Sequence, residues 1–161
     1  VKELDAASAP HGTPLELALE NARRKAGAVV AAHPGRWVLG ADTVVAFEGR
    51  VFGKPATPEQ ARDFLRALGG RTHEVVTGCV LAGPDGEKDL LHDVSFVTFL
   101  PLSEEIITRY LGEVDVLDKA GGYALQQRSE WIVARVEGSR ANVIGLPVEK
   151  LSALLRKRGL L

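Results

Sequence analysis

The chain has 161 residues, of which 45% are hydrophobic and 25% charged, and its net charge is −1. That size suits one domain burying about two thirds of its unfolded surface, and the even charge balance gives no reason to expect a surface for duplex nucleic acid. No apolar run is long enough to span a membrane and no signal-peptide features are present, which predicts a cytoplasmic protein.

Cys79 is the single cysteine, so no disulfide can form within the chain. Its strand-like setting predicts a small buried hydrophobe rather than a nucleophile. The chain begins with Val1 and contains no Met, so an upstream segment is expected. Residues 1–12 carry Pro10, Gly12 and polar side chains and read as a connecting loop.

Thr13-Pro14-Leu15-Glu16 gives a capping box with proline at the first helical position, and predicts a helix running to about Ala32. Leu15, Ala18, Leu19, Ala22, Ala26, Val29 and Val30 form one apolar stripe at helical spacing. Lys25 falls on the edge of that stripe, from which it can snorkel, whereas Glu20 and Arg24 point away. Edge lysines are common and most only solvate a helix flank.

Trp37 to Pro55 organises the rest. Val38-Leu39 and Val44-Val45-Ala46-Phe47 are strand-like runs, with Asp42 between them at a Gly40-Ala41 interruption. A carboxylate in apolar surroundings costs several kcal/mol, by order of magnitude, unless a cation, metal or hydrogen-bond donors meet it. Lys54 follows the Glu48-Gly49 turn and a short strand Arg50-Val51-Phe52, so a hairpin return can bring its ammonium back towards the carboxylate. An Asp beside Gly is more often a turn or capping residue, and Gly53-Lys54-Pro55 alone reads equally well as a loop.

Thr57-Pro58-Glu59-Gln60 starts a second helix, carrying Ala61, Phe64, Leu65 and Leu68 and stopped by Gly69-Gly70. A long hairpin follows, with arms from His73 to Ala82 and from Lys88 to Leu100. Its second arm places Val94, Phe96 and Leu100 on one face and Val97 and Phe99 on the other, which predicts a sheet covered on both sides. Ser103-Glu104-Glu105 caps a short helix ending at Gly112. The stretch from Asp118 to Gln127 has charges, glycines and amides without a period, and long irregular stretches inside compact domains are often functional. Trp131 to Val136 reads as a strand and Gly138 to Asn142 as a polar loop. Gly145-Leu146-Pro147 opens a last helix with Val148, Leu151, Leu154 and Leu155 inward. Its basic end, Arg156-Lys157-Arg158, complements the helix dipole.

Several chemistries are excluded. Gly53-Lys54 is not a phosphate-binding P-loop, because Glu48 stands where its first glycine belongs and Pro55 replaces the Ser or Thr. His11, His33, His73 and His92 lack zinc-ligand spacing, and there is no Gly-x-Ser-x-Gly elbow or dinucleotide fingerprint. What remains is Lys25, Asp42, Thr43, Lys54, Asp118, Lys119 and Gln126, all in loops or at element ends. Lysines with carboxylates suit a polyphosphate held with a divalent cation. Thr43 and the Gln126 amide can read a base edge.

Gly40-Ala41-Asp42-Thr43-Val44-Val45, Gly53-Lys54-Pro55, Thr72 to Gly78, Asp118 to Tyr123, Gly138-Ser139 and Asn142 to Pro147 occur in the order seen in Maf proteins, which the chain resembles over nearly its whole length. That family comprises nucleoside triphosphate pyrophosphatases first named for an effect on septum formation. The resemblance implies a single α/β domain over residues 1–161. Its central mixed, largely antiparallel twisted sheet would be flanked by helices, similar to the inosine triphosphate pyrophosphatases. It also implies hydrolysis of a nucleoside triphosphate to the monophosphate and pyrophosphate with Mg²⁺ or Mn²⁺.

By matching position, Asp42 becomes the proton acceptor or metal-linked carboxylate, Lys25 and Lys54 become phosphate ligands, and Thr43 and Gln126 set base specificity. Asp118 and Lys119 join the substrate-binding set. An aspartate of ordinary pKa, about 4, is a poor base at neutral pH. The expectation is therefore that a metal bridging Asp42 and the phosphates contributes more than proton abstraction alone. The Ala-Asp-Thr and Asp-Lys-Ala-Gly forms resemble the branch acting on dTTP and UTP rather than the one acting on 7-methyl-GTP.

The family's Ser-x-Ser-Pro-Arg-Arg phosphate-gripping motif precedes the point where this chain begins; little or no activity is expected if that segment is absent from the molecule, and a complete site if it lies upstream. Gln127 stands where a glycine commonly follows the specificity glutamine. Competing readings are a purine-directed hydrolase and a nucleotide-binding regulator of septum formation. A homodimer is the default expectation for assembly.

Overall fold

The computed structural model of the chain describes residues 12–161, so the loop expected over residues 1–12 lies, apart from Gly12, outside the described residues. Helix α1 spans Pro14–Val30, and its capping box is realised in full: Thr13 accepts from the Glu16 backbone N–H while the Glu16 carboxylate accepts from Thr13 N at 2.7 Å. The chain then enters strand β1, Val38–Phe47, and turns through Glu48 and Gly49 into the three-residue β2, Arg50–Phe52. Both turn residues have positive φ, the two-residue geometry that matches strand twist.

Helix α2 is Pro58–Leu68, capped by Thr57, and β3 (Thr72–Ala82) and β4 (Lys88–Phe99) form the long hairpin. Helix α3 is Glu104–Glu113, capped by Ser103. Strand β5, Val133–Glu137, is followed by two helices, α4 (Arg140–Ile144) and α5 (Val148–Lys157). The five strands make one sheet in the order β2-β1-β3-β4-β5. Among the described residues every pairing is antiparallel, so the largely antiparallel expectation holds while the parallel pair of a mixed sheet is not found.

One face of the sheet packs on α2 and α3 through Val45, Phe52, Phe64, Leu65, Val97, Phe99 and Tyr110, the larger part of the core. The other face receives α1 over β1 and β3, where Ala18, Ala22 and Ala26 meet Val38, Val44, Val76 and Val80. Two glycines permit that approach. A Cβ on Gly40 would collide with the Ala22 carbonyl, and one on Gly78 would lie 2.7 Å from Leu19 N.

Five expectations need correction. Gly40-Ala41 does not interrupt β1: the strand is continuous and Asp42 sits in mid-strand, opposite Gly78. The glycine reflects helix-to-strand contact rather than a break. Trp131 belongs to a 3₁₀ turn, Ser129–Trp131, so β5 starts two residues later. The loop expected over Gly138 to Asn142 contains the start of α4, because the Ser139 hydroxyl accepts from Asn142 N at 3.1 Å and caps a helix. The sheet is not covered on both sides along all of β4: α1 lies mainly over β1 and β3 and only touches β4, leaving Leu90 54% and Phe96 42% exposed on that face. Val148 points outward in α5 at 47% exposure, while Leu151 is buried.

Candidate active site

Strand β2 pairs with β1 only from Val45 to Phe47, so the stretch of β1 around Asp42 forms the rim of the sheet. On one side the α1 turn from Asn21 to Lys25 crosses this rim. Because glycines let the helix lie close to the strand, even the short Asn21 side chain reaches Asp42. Asn21 Nδ2 donates to Asp42 Oδ2 at 3.0 Å, and Lys25 Nζ donates to Asp42 Oδ1 at 2.6 Å and to the Ala41 carbonyl at 3.2 Å. Asp42 is 7% exposed. A carboxylate so far from water is tolerable only with partners of this kind.

The opposite wall is the irregular stretch after α3. Gly121 N donates to the Gly53 carbonyl at 3.1 Å, and Gly121, at φ 73, leaves room for Val45. This tie brings Asp118 and Lys119 beside Lys54. Lys119 Nζ donates to Asp118 Oδ2 at 2.8 Å. That hydrogen bond holds the Asp118 carboxyl below the usual carboxylate range, with slight burial working against it and the charges of Lys119 and Lys54 reinforcing it. Farther along, Tyr110 Oη accepts from Ala124 N at 3.0 Å, which anchors to α3 the segment that leads into Gln126.

Between these walls lies a cleft of about 270 Å³. Lys25, Asp42, Thr43 and Lys54 line it from the first half of the chain, and Asp118, Lys119 and Gln126 from the second. Three ammoniums face two carboxylates there, an excess of positive charge suited to a phosphate chain. The remaining wall, Val143 to Gly145 of α4 and its end, is apolar or backbone.

Asn21 is the site residue that sequence reasoning overlooks. Its signal was present: an amide on the inward edge of an alanine-rich stripe, one turn before Lys25. His73 is buried by contrast for structural reasons, its Nε2 2.9 Å from Tyr123 Oη. Burial pushes it down to about 4.

Among the described residues no three His, Cys, Asp or Glu side chains converge as a metal cage. Asp42 and Asp118 are oxygen donors, which fits a hard cation that takes one or two protein carboxylates and completes its shell with water and phosphate oxygens. Among the described residues no helix is long and apolar enough to cross a membrane.

The chain is 47% identical over 158 residues to a protein of Akkermansia muciniphila named dTTP/UTP pyrophosphatase, an alignment covering 98% of this chain and 82% of that one. A Thermus thermophilus protein of the same name is 48% identical over 91% of this chain and 75% of its own length. For one from Myxococcus xanthus the values are 46%, 86% and 70%. The family model described as Maf-like protein matches residues 1–158. With that match and the Asp42 cleft in the same chain, the protein belongs to the Maf family.

Proposed function

We propose that the chain is a nucleoside triphosphate pyrophosphatase hydrolysing dTTP and UTP to the monophosphate and pyrophosphate, with the chemistry in the Asp42 cleft. The observation that carries this reading is the convergence on one cleft of a lysine-paired carboxylate, two further lysines, and a hydroxyl and an amide able to meet a base. The name shared by the relatives supports it.

In this reading Lys54 and Lys119 bind the phosphate chain, with Asp118 orienting Lys119. Lys25 both holds Asp42 and adds positive charge beside the reacting phosphorus. A water attacks the α-phosphorus, its proton passes to Asp42, and the bond to the bridging oxygen breaks with its electrons leaving on pyrophosphate. Positioning and charge neutralisation supply most of the acceleration in such transfers. Asn21 keeps the Asp42 carboxylate from rotating away from the water. Thr43 and Gln126 meet the base. A divalent cation, Mg²⁺ or Mn²⁺, would be held by Asp42 together with phosphate oxygens and would supply Lewis acidity and charge neutralisation there.

The test is pyrophosphate release from dTTP, UTP, CTP, ITP and 7-methyl-GTP with Mg²⁺ or Mn²⁺. It is run on the 161-residue chain and on one preceded by a Ser-x-Ser-Pro-Arg-Arg segment. Turnover of dTTP and UTP ahead of the others by the protein carrying that segment is the expected result. Tight binding of nucleotide with no turnover by either protein would replace the enzyme by a nucleotide-responsive regulator.

A further inference from the structure

Thr43 and Thr77 are directly opposite each other on β1 and β3, and their hydroxyl oxygens are 2.8 Å apart. Thr77 is fully buried and does not line the cleft, whereas Thr43 does. The Thr77 hydroxyl also contacts the Asn142 backbone carbonyl at 3.2 Å. A carbonyl only accepts and a threonine has one hydroxyl proton, so Thr77 donates to Asn142. Its oxygen must then accept from Thr43.

The acceptor at the end of this chain is held firmly. Asn142 Nδ2 donates to the Val75 carbonyl at 3.1 Å and to Ser95 Oγ at 3.0 Å, and Ser95 Oγ donates to the Ser139 carbonyl at 2.9 Å. Asn142 and Ser95 are fully buried. No polar group in this series is free to reverse its direction without setting lone pair against lone pair. The consequence reaches the cleft: the Thr43 proton points inward, and only lone pairs of its oxygen face a ligand.

We infer that Thr77 is a positioning residue for base selection: by taking the Thr43 proton, it makes Thr43 a pure acceptor that selects an imide N–H. Uracil and thymine carry such an N3–H between two carbonyls, whereas cytosine presents a bare N3 lone pair at the same place. A free threonine hydroxyl would rotate to serve either base. Selectivity between the two pyrimidine types then comes from the proton direction set beneath the sheet surface, by a residue that never touches substrate. This rests on the reading that Thr43 meets the base.

The experiment measures dissociation constants of UMP and CMP by calorimetry on the full-length protein, so that binding is read without turnover. It compares the unsubstituted protein with Thr43→Val, Thr77→Val and Thr77→Ser. The UMP-over-CMP preference should fall by about tenfold in both valine variants and persist in Thr77→Ser, since one neutral hydrogen bond is at stake. A merely structural role for Thr77 would weaken both nucleotides alike and leave their ratio unchanged. Should Thr77→Val not fold, Thr77→Cys, with a poor donor and acceptor in the same volume, is read the same way. A preference lost in Thr43→Val but kept in Thr77→Val overturns the inference and leaves the base contact standing. A preference unaltered by Thr43→Val removes the base contact itself, and the inference with it.

Discussion

At the scale of single residues, the site is a problem of keeping a charge where water barely reaches. Asp42 is held on one oxygen by Lys25 and on the other by Asn21, and the two roles differ. Lysine supplies charge and the amide supplies direction. Asn21→Leu should therefore lower kcat by between about tenfold and a hundredfold while leaving KM for dTTP little changed, because misplacing a reacting group costs rate rather than affinity. A steady-state comparison of the two parameters checks this; an effect on KM alone would place Asn21 among the substrate contacts instead. His73 carries a different expectation. The folded protein keeps it neutral down to about pH 4, against an ordinary value of 6.5, because burial disfavours the imidazolium. The unfolded chain binds the extra proton throughout that interval, so stability should decline as pH falls from 6.5 towards 4, by about 3 kcal/mol from this group. Above that interval the contribution is constant. Urea unfolding of the unsubstituted protein and of His73→Gln at pH 7 and pH 4.5 measures it, with the smaller acid loss expected in the variant. Equal losses would exclude His73 as the source.

At the scale of elements, the contact between α1 and the sheet positions half of the site. Gly40 and Gly78 on the strands, facing alanines on the helix, bring backbone almost to backbone. Gly40→Ala forces the helix outward, which should cost about 1–3 kcal/mol in urea unfolding and depress turnover by moving Asn21 and Lys25 from Asp42. Gly27, also in α1, has open space around it. Gly27→Ala should instead stabilise by about 0.5–1 kcal/mol with activity intact. If both alanines behave alike, close approach is not what matters. Sequence patterns reveal this element only in part. The helix starts at Thr13, Thr57 and Ser103 are written in local chemistry, a hydroxyl that accepts from the backbone N–H three residues on, and all three are realised. Gly40 was legible as exceptional and misread as a break, since the residue that requires it, Ala22, is far away in sequence. The same holds for α4, whose cap Ser139 and buried Asn142 read as loop polarity until β3 and β4 are placed beneath them.

Over the whole molecule, a chain of net charge −1 gathers three lysines and two aspartates around one cleft. Residues 25, 42 and 54 come from α1, β1 and the end of the first hairpin, and 118, 119 and 126 from the stretch after α3, so the site exists only when both halves are folded together. This explains which parts of it were readable beforehand. Asp42 stands out as a carboxylate within an apolar strand run, Lys54 as the cation its hairpin returns towards it, and Asp118 and Gln126 as charge and amide in a segment without a period. Asn21, within a regular helix, does not, and neither does the buried Thr77 series, whose polarity depends on hydrogen bonds between segments tens of residues apart. Under the proposed function, the Asp42 cleft cleaves between the α- and β-phosphates. The most direct measurement is the product analysis of dTTP hydrolysis in ¹⁸O-labelled water by the unsubstituted protein and by Asp42→Asn. Expected are dTMP carrying the label with an equal amount of unlabelled pyrophosphate, and a loss of turnover of about a thousandfold in the variant with dTTP affinity largely kept. Label in the pyrophosphate, release of dTDP, or undiminished turnover by Asp42→Asn would contradict that function.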